Sequence, residues 1–449
     1  MPTDRPFGHF QEAPSSSRLE RWELETENTQ ALEPLREAAK YLQTDDIPVA
    51  FPTETVYGLG ADATRSGSVN GIYTAKKRPS DNPLIVHVCD LEMLRGLLRD
   101  QEGATSNGHG SRDHDTGDHD EIPSIYKPLI ERFWPGPLTI LLPNLAPANL
   151  APEVTAGLKT FGARMPASPL ALSLIKLTGR PLAAPSANAS TKPSPTAAQH
   201  VKHDLDGRIR LILDGGPCQV GVESTVVDGL SDPPAVLRPG GLSMDELRSC
   251  PGWENVVKGY KDHSEDGKVA PRAPGMKYKH YSPKAKVILY EATYQGGSSG
   301  VTKEDVEFSS ATAKNGALEG STGAETRRIG VIRTRRWKQG AGLGCGQYRA
   351  TAEEQVIQNG QNGEAATTTT SFGIFQGELL DASGQVVGEV LDIDLGADAK
   401  GVAQGIFSAL RELDLRGADT IFVDGIADES DIAEAVMNRL RKAASEIRA

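Results

Sequence analysis

Phe51-Pro-Thr-Glu-Thr-Val-Tyr-Gly-Leu-Gly60 decides how the rest of this chain is read. The apolar run Ile47 to Phe51 that leads into it predicts a short buried strand. Pro52 then removes a backbone donor, and Gly58 and Gly60 permit backbone that other residues resist. Thr53, Thr55, Glu54 and Tyr57 bring two hydroxyls, a carboxylate and a phenol to the strand's end, which suits a ligand pocket at the edge of a sheet. An ordinary strand–turn–helix connection has the same composition, so this stretch alone leaves both readings open.

Composition bounds what surrounds it. At 449 residues the chain has room for two or three domains. Hydrophobic content of 38%, with Gly 47 and Pro 29, predicts many turns and some disordered sequence. A net charge of −12 argues against tight nucleic-acid binding over a large surface, although Lys76-Lys-Arg78 can still meet phosphate locally. Cys89, Cys218, Cys250 and Cys345 show no CxxC spacing, which excludes a zinc ribbon and gives no disulfide framework. The reducing cytoplasm is therefore the expected compartment. No apolar run reaches the length of a membrane span. Asp4, Glu12, Glu20 and Glu23 are out of place in a signal or transit peptide, while an alternative start giving a mitochondrial form stays open.

Taken in order, residues 1–30 are polar and predict a mobile tail. Residues 31–258 predict a first α/β domain. Its helices are marked by Leu32, Leu35, Ala39 and Leu42, by Val69, Ile72 and Tyr73, and by Leu170, Leu174 and Leu177. Its strands are expected at Pro83 to Val88, Leu138 to Leu142, Phe161 to Met165, Pro181 to Ala184, Leu211 to Asp214, Ser224 to Val227 and Ala235 to Leu237. A polar insertion at about 100–121 carries His109, His114 and His119 among aspartates. A metal site there is conceivable, but nothing apolar fixes ligand geometry, and a disordered surface insertion is the preferred reading. Residues 259–284 predict a linker, and 285–449 a smaller α/β domain with strands at Lys286 to Tyr290, Arg328 to Ile332 and Thr420 to Asp424. Gly340-Ala-Gly-Leu-Gly-Cys-Gly346 fails GxGxxG spacing, so a dinucleotide site carries little weight.

Four further motifs follow the first: Lys76-Lys-Arg-Pro-Ser-Asp-Asn-Pro-Leu-Ile-Val-His87, Ala184-Pro-Ser-Ala-Asn188, Glu223-Ser-Thr225 and Leu237-Arg-Pro-Gly240. In this order they resemble the threonylcarbamoyl-AMP synthases, the YrdC/YwlC family. Pro274-Gly-Met-Lys-Tyr-Lys-His-Tyr-Ser-Pro283 resembles the linker of the longer, two-domain members. The resemblance runs from about Leu32 to the C-terminus and is strong in the first domain, loose in the second. It implies a twisted open-sheet YrdC-like domain, a linker, and a smaller Rossmann-like α/β domain.

The resemblance implies a reaction in two steps. Bicarbonate carboxylates the amine of L-threonine, and the carbamate attacks the α-phosphate of ATP, releasing pyrophosphate. The nucleophile belongs to the substrate, so no catalytic residue is expected. The protein must align an amino acid with a triphosphate and offset phosphate charge. No GxxxxGK[ST] is present, so side chains must meet the phosphates. Lys76 and Arg78 suit that task as a point charge and a bidentate fork, the alternative being a solvated helix end. The family's pattern carries ATP contacts onto Arg78, Asn82, Thr160, Ser186, Ser194, Arg238 and Tyr281, with Asn188 a further donor. It carries threonine contacts onto Thr55, His87, Arg164, Ala184 and Ser224. Arg164 is a charge on an apolar strand and needs a partner, either a substrate carboxylate or an acidic side chain. His87 could equally be a buried histidine bonded to backbone. Ala273 stands where relatives typically have Ser, which puts a hydroxyl contact there in doubt.

Mg2+ is implied with ATP, with no protein cage and no metal residue. The product implied is the donor for threonylcarbamoyladenosine in tRNA, handed to a separate threonylcarbamoyl-transfer complex, with no membrane and no tight direct nucleic-acid binding. Two other classes are weighed. A carbamoyltransferase-type maturation factor would carry zinc-finger cysteine pairs and an acylphosphatase module, which this chain lacks. A non-catalytic RNA-binding module conflicts with the acidic charge and the lack of an aromatic platform.

Overall fold

A computed structural model describes residues 7–11, 18–25, 29–99, 120–145, 149–260, 280–302, 304–306, 327–351, 373–428 and 431–449. Most of the expected insertion, with His109, His114 and His119, lies outside the described residues, as do Ala273, Gly275, Met276 and Tyr278 of the linker. The chain divides into two units, Met1–Ser190 with Ser194–Tyr278, and Thr191–Pro193 with Lys279–Ala449.

The first unit is built on a nine-stranded mixed sheet. From one edge to the other its order is Val257–Lys258, Ala235–Arg238, Thr225–Asp228, Leu138–Pro143, Thr160–Arg164, Ile85–His87, Leu182–Ala183, Gly58–Asp62 and Val49–Phe51. The run leading into the first motif is therefore an edge strand, although it is fully buried. Its outer side is covered by Leu211–Leu213: Ala50 N donates to Leu211 O (3.1 Å) and Leu213 N to Ala50 O (2.8 Å). The strand expected at Leu211 to Asp214 amounts to this single bridge, since Gly215 and Gly216 follow at once.

Gly58–Asp62 is itself a strand, although its glycines suggested unusual backbone. Neither Gly58 nor Gly60 has a positive φ; what they need is space. A Cβ on Gly60 would stand 2.7 Å from the Phe51 ring and one on Gly58 3.2 Å from it. The missing side chains let the Phe51 ring lie flat across the neighbouring strand. Helix Ser66–Lys76 packs on Gly58–Asp62 and ends with Lys77 in the left-handed region, φ 52°. That turn carries the chain from the helix into the loop holding Arg78 and Asn82.

The N-terminal stretch departs from the expected mobile tail. Gly8–Phe10 pairs antiparallel with Trp22–Leu24, and Phe7, Leu19 and Trp22 are buried. The Trp22 indole N–H donates to Ser173 Oγ (3.1 Å) and its backbone N to Asp90 Oδ2 (3.2 Å), which also receives Lys176 Nζ (3.0 Å). A few large apolar side chains thus dock this hairpin on helix Pro169–Thr178.

The second unit holds a seven-stranded sheet in the order Arg349–Thr351, Ile374–Leu380, Val386–Asp394, Arg327–Arg333, Thr420–Asp424, Lys286–Tyr290 and Glu446–Arg448. The last five are mutually parallel and the first two join antiparallel. Arg327–Arg333 leads to a strand on one side and Thr420–Asp424 to a strand on the other, so the crevice between their carboxyl ends is the topological switch point. Asp424, fully buried, fills it. Its carboxylate accepts from Thr334 Oγ1 (3.0 Å), Arg336 N (2.9 Å) and Arg336 Nε (2.8 Å).

Candidate active site

Three separated segments converge on the loop Pro52 to Tyr57 through backbone bonds. Tyr57 N donates to Pro195 O (2.8 Å), and Ala187 N to Tyr57 O (2.8 Å). Val220 N donates to Glu54 O (2.8 Å) and Gly221 N to Thr55 O (3.1 Å). The Tyr57 hydroxyl donates to Gly216 O (2.7 Å), and burial with Asp214 nearby raises its pKa well above the ordinary range. It anchors the loop as a neutral phenol.

Arg164 ends its strand beside His87, its register partner on the neighbouring parallel strand. Its guanidinium is almost wholly buried. Nη2 donates to Glu54 Oε1 (2.5 Å), Nη1 to Thr55 Oγ1 (2.9 Å) and Nε to Gly136 O (3.2 Å). The acidic partner considered for Arg164 is thus present in this chain, and it is Glu54. Thr53 Oγ1 lies 2.9 Å from Thr55 Oγ1 and donates to Val56 O (2.7 Å), which holds the loop closed.

His87 Nδ1 lies 3.3 Å from Ile85 O, and the ring stands edge-on to Phe51. Burial, then the charge of Arg164, pushes its pKa down to about 3 from 6.5. It is neutral at physiological pH. The folded-state value is the lower one, so the unfolded chain binds a proton that the folded chain refuses. Stability is then fully present above about pH 6.5 and falls as pH drops toward 3. Each unit in that window costs up to about 1.4 kcal/mol. Thermal melts from pH 7.5 to 4.5 are expected to show a shallower pH slope for His87→Gln than for the natural chain.

Lys76 is buried, and its ammonium donates to Ser186 O, to Asn188 O (2.6 Å) and to Asn188 Oδ1 (3.3 Å). Ser186 Oγ donates to the same Oδ1 (2.5 Å). The cation thus binds the bend that carries Ser186 and Asn188. Arg78 is half-buried in the loop beyond, and its backbone N donates to Tyr73 O (2.9 Å). Asn82 is buried, its carbonyl held by the Tyr73 hydroxyl (3.1 Å), and among the described residues its Oδ1 has no hydrogen-bond donor. Thr160 opens the strand that Arg164 closes. Ala184 N donates to Ile85 O (2.9 Å), leaving only a methyl side chain at that bend.

A third cluster joins the remaining motifs. Ser194 Oγ donates to Glu223 Oε1 (2.6 Å). Arg238 donates through Nε (3.1 Å) and Nη2 (2.9 Å) to Ser224 O, and through Nη2 to Ser224 Oγ (3.0 Å), which lies 2.8 Å from Thr139 Oγ1. Gly240 lets this happen: a Cβ there would meet Thr225 N at 2.2 Å and Ser224 C at 2.4 Å. Tyr281 belongs to the second unit, buried, with φ 67° and its ring stacked on Phe407 at 5.2 Å.

Glu54, Glu223 and Thr139 were not assigned from the sequence. Glu54 and Glu223 stand inside apolar or small-residue motifs, and a carboxylate there must find a cation or a hydroxyl. That signal was legible. Thr139, in the apolar run Leu138 to Leu142, gave none.

Comparison with known proteins agrees with this convergence. A family model described as "Telomere recombination" matches residues 40–240, and one described as "Threonylcarbamoyl-AMP synthase, C-terminal domain" matches residues 242–445. The threonylcarbamoyl-AMP synthase of Schizosaccharomyces pombe is 44% identical over 92% of this chain and 88% of its own. That of Bacillus subtilis is 37% identical over 95% of this chain and 98% of its own. The solved structure of Pyrococcus abyssi Sua5 complexed with L-threonine is 34% identical, with a TM-score of 0.65, covering 92% of this chain and 95% of that one.

Proposed function

Because the chain belongs to the threonylcarbamoyl-AMP synthase family, we infer that it is a nucleotidyltransferase converting L-threonine, bicarbonate and ATP to threonylcarbamoyl-AMP and pyrophosphate. The product serves the threonylcarbamoyladenosine modification of tRNA through a separate transfer complex, and the chain itself needs no tight grip on nucleic acid. The observation that carries this assignment is the convergence of the Ala187, Pro195 and Val220–Gly221 segments and of Arg164 on one buried loop, in a chain alike over most of its length to a Sua5 structure that holds L-threonine.

In this assignment Arg164 receives the threonine carboxylate, with Thr55, neutral His87, Ala184 and Ser224 bounding the amino acid. Arg78, Asn82, Thr160, Ser186, Asn188, Ser194, Arg238 and Tyr281 serve ATP. The buried Asn82 Oδ1 suits a donor on the nucleotide. Lys76 acts by fixing Ser186 and Asn188. Mg2+ travels with ATP as the metal–nucleotide substrate, ligated by phosphate oxygens, since Glu54 and Glu223 are bonded to Arg164 and Ser194. The side chains orient and offset charge; the carbamate formed on the substrate attacks the α-phosphate. The reaction is expected to run in the cytoplasm, where ATP and tRNA are at hand.

Incubation with ATP, bicarbonate and L-threonine is expected to yield pyrophosphate and threonylcarbamoyl-AMP, each dependent on all three substrates. Pyrophosphate release that ignores threonine would overturn the assignment. Arg164→Ala is expected to weaken threonine binding by about 2 kcal/mol or more while ATP binding holds, as calorimetry would show.

A further inference from the structure

The buried carboxylate of Glu54 has no contact with substrate in the assignment above, yet it makes the shortest of the bonds to the Arg164 guanidinium. We propose that Glu54 is a positioning residue that aims Arg164 at the amino-acid carboxylate, a role that rests on Arg164 touching threonine.

Three acceptors from two segments pin the guanidinium. Gly136 O takes Nε, Thr55 Oγ1 takes Nη1 and Glu54 Oε1 takes Nη2. These bonds use three of the five N–H groups and leave the others to a ligand. Glu54 is itself fixed at two points. Its Oε2 accepts from Ala167 N (3.0 Å), in the turn that follows Arg164's own strand, and its backbone O accepts from Val220 N (2.8 Å). The carboxylate thus bridges the guanidinium and the turn after the guanidinium's strand, while Val220 holds the backbone of the same residue. An arginine held this way meets its ligand without losing side-chain freedom at that moment.

Electrostatics gives the idea a sign that separates it from its rival. Glu54 offsets the Arg164 charge before substrate arrives, and His87, kept neutral, adds none. A substrate carboxylate then shares the guanidinium with Glu54, and two like charges repel. If Glu54 only balanced charge, removing it would strengthen threonine binding. If Glu54 aims the guanidinium, removing it weakens binding despite the lost repulsion. A glutamine at this position supplies one acceptor and one amide donor, so either Arg164 or Ala167 N would face a donor.

The experiment is steady-state kinetics on the full chain, varying threonine and ATP in turn, for Glu54→Gln, Glu54→Asp and Arg164→Lys, with a thermal melt of each. Glu54→Gln is expected to raise KM for threonine about tenfold or more while KM for ATP stays within about twofold. Glu54→Asp, which keeps the charge on a shorter arm, is expected to fall between it and the natural chain. A threonine KM that is unchanged or lower in Glu54→Gln overturns the proposal. So does a parallel rise in both KM values that tracks a lost melting temperature. If Glu54→Gln does not fold, the same criteria apply to Glu54→Asp. Arg164→Lys keeps the two failures apart. An unmoved threonine KM in that variant removes Arg164 from the amino-acid site, whereas a raised one beside an unmoved Glu54→Gln overturns the role of Glu54 alone.

Discussion

Gly240→Ala is expected to cost about 3 kcal/mol or more of stability and to lower turnover by more than about tenfold. The added methyl carbon would stand 2.2 Å from Thr225 N, 2.4 Å from Ser224 C and 2.5 Å from Glu223 O. All three are backbone atoms, so no side chain can swing aside, and the Glu223–Thr225 segment must move as a body. Moving it breaks the Ser194–Glu223 bond and the Arg238 and Thr139 bonds to Ser224 together. Thermal melting and pyrophosphate release read the two effects. Gly96 provides the control: nothing lies within 4 Å of a Cβ there, and it sits in helix Leu91–Leu98. Gly96→Ala is expected to leave activity intact and to stabilise by up to about 1 kcal/mol.

Lys76→Met is expected to lower the melting temperature by several degrees as well as reduce activity. The substitution keeps most of the buried volume and removes the ammonium. Ser186 O and Asn188 O then lose a donor inside the protein, at about 1–3 kcal/mol for each acceptor left unsatisfied. The bend carrying Ser186 and Asn188 relaxes, and the nucleotide contacts expected of those residues go with it. A lysine serving only as a phosphate ligand would behave differently, with the melt preserved and only ATP affinity lost. Melting curves with and without ATP distinguish the two.

How much of this could be read from sequence depended on the kind of signal. The motif order carried the family and the two-unit plan, because polar residues in fixed company constrain function even when their geometry is hidden. Burial of Arg164 was legible from its apolar strand, as was its need for a partner, but not which partner: Glu54 lies far away in the chain and reaches it through folding alone. The Gly58–Asp62 strand was missed because glycines normally break strands, and only the Phe51 ring, packed over them, explains why they suit this one. The N-terminal hairpin was missed for the opposite reason. Its local sequence is polar and sparse, and Trp22 gains its hold from Ser173 and Asp90, which only the tertiary structure brings near. In the second unit, Ile374–Leu380 and Val386–Asp394 form the longest antiparallel pair. Their alternating pattern was obscured by the Gly-, Ser- and Thr-rich sequence just before them.

Asp424 has a bearing on what the second unit can admit at its switch point. An open parallel sheet ordinarily presents its switch point as a vacancy, and an incoming phosphate or carboxylate becomes the tenant. Here the tenant is covalently part of the house: a side chain at the end of the Thr420–Asp424 strand accepts from the Thr334 hydroxyl and from the backbone and guanidinium of Arg336, donors that would otherwise greet a diffusible anion. An external anion could enter only by evicting a tethered one whose effective concentration never falls.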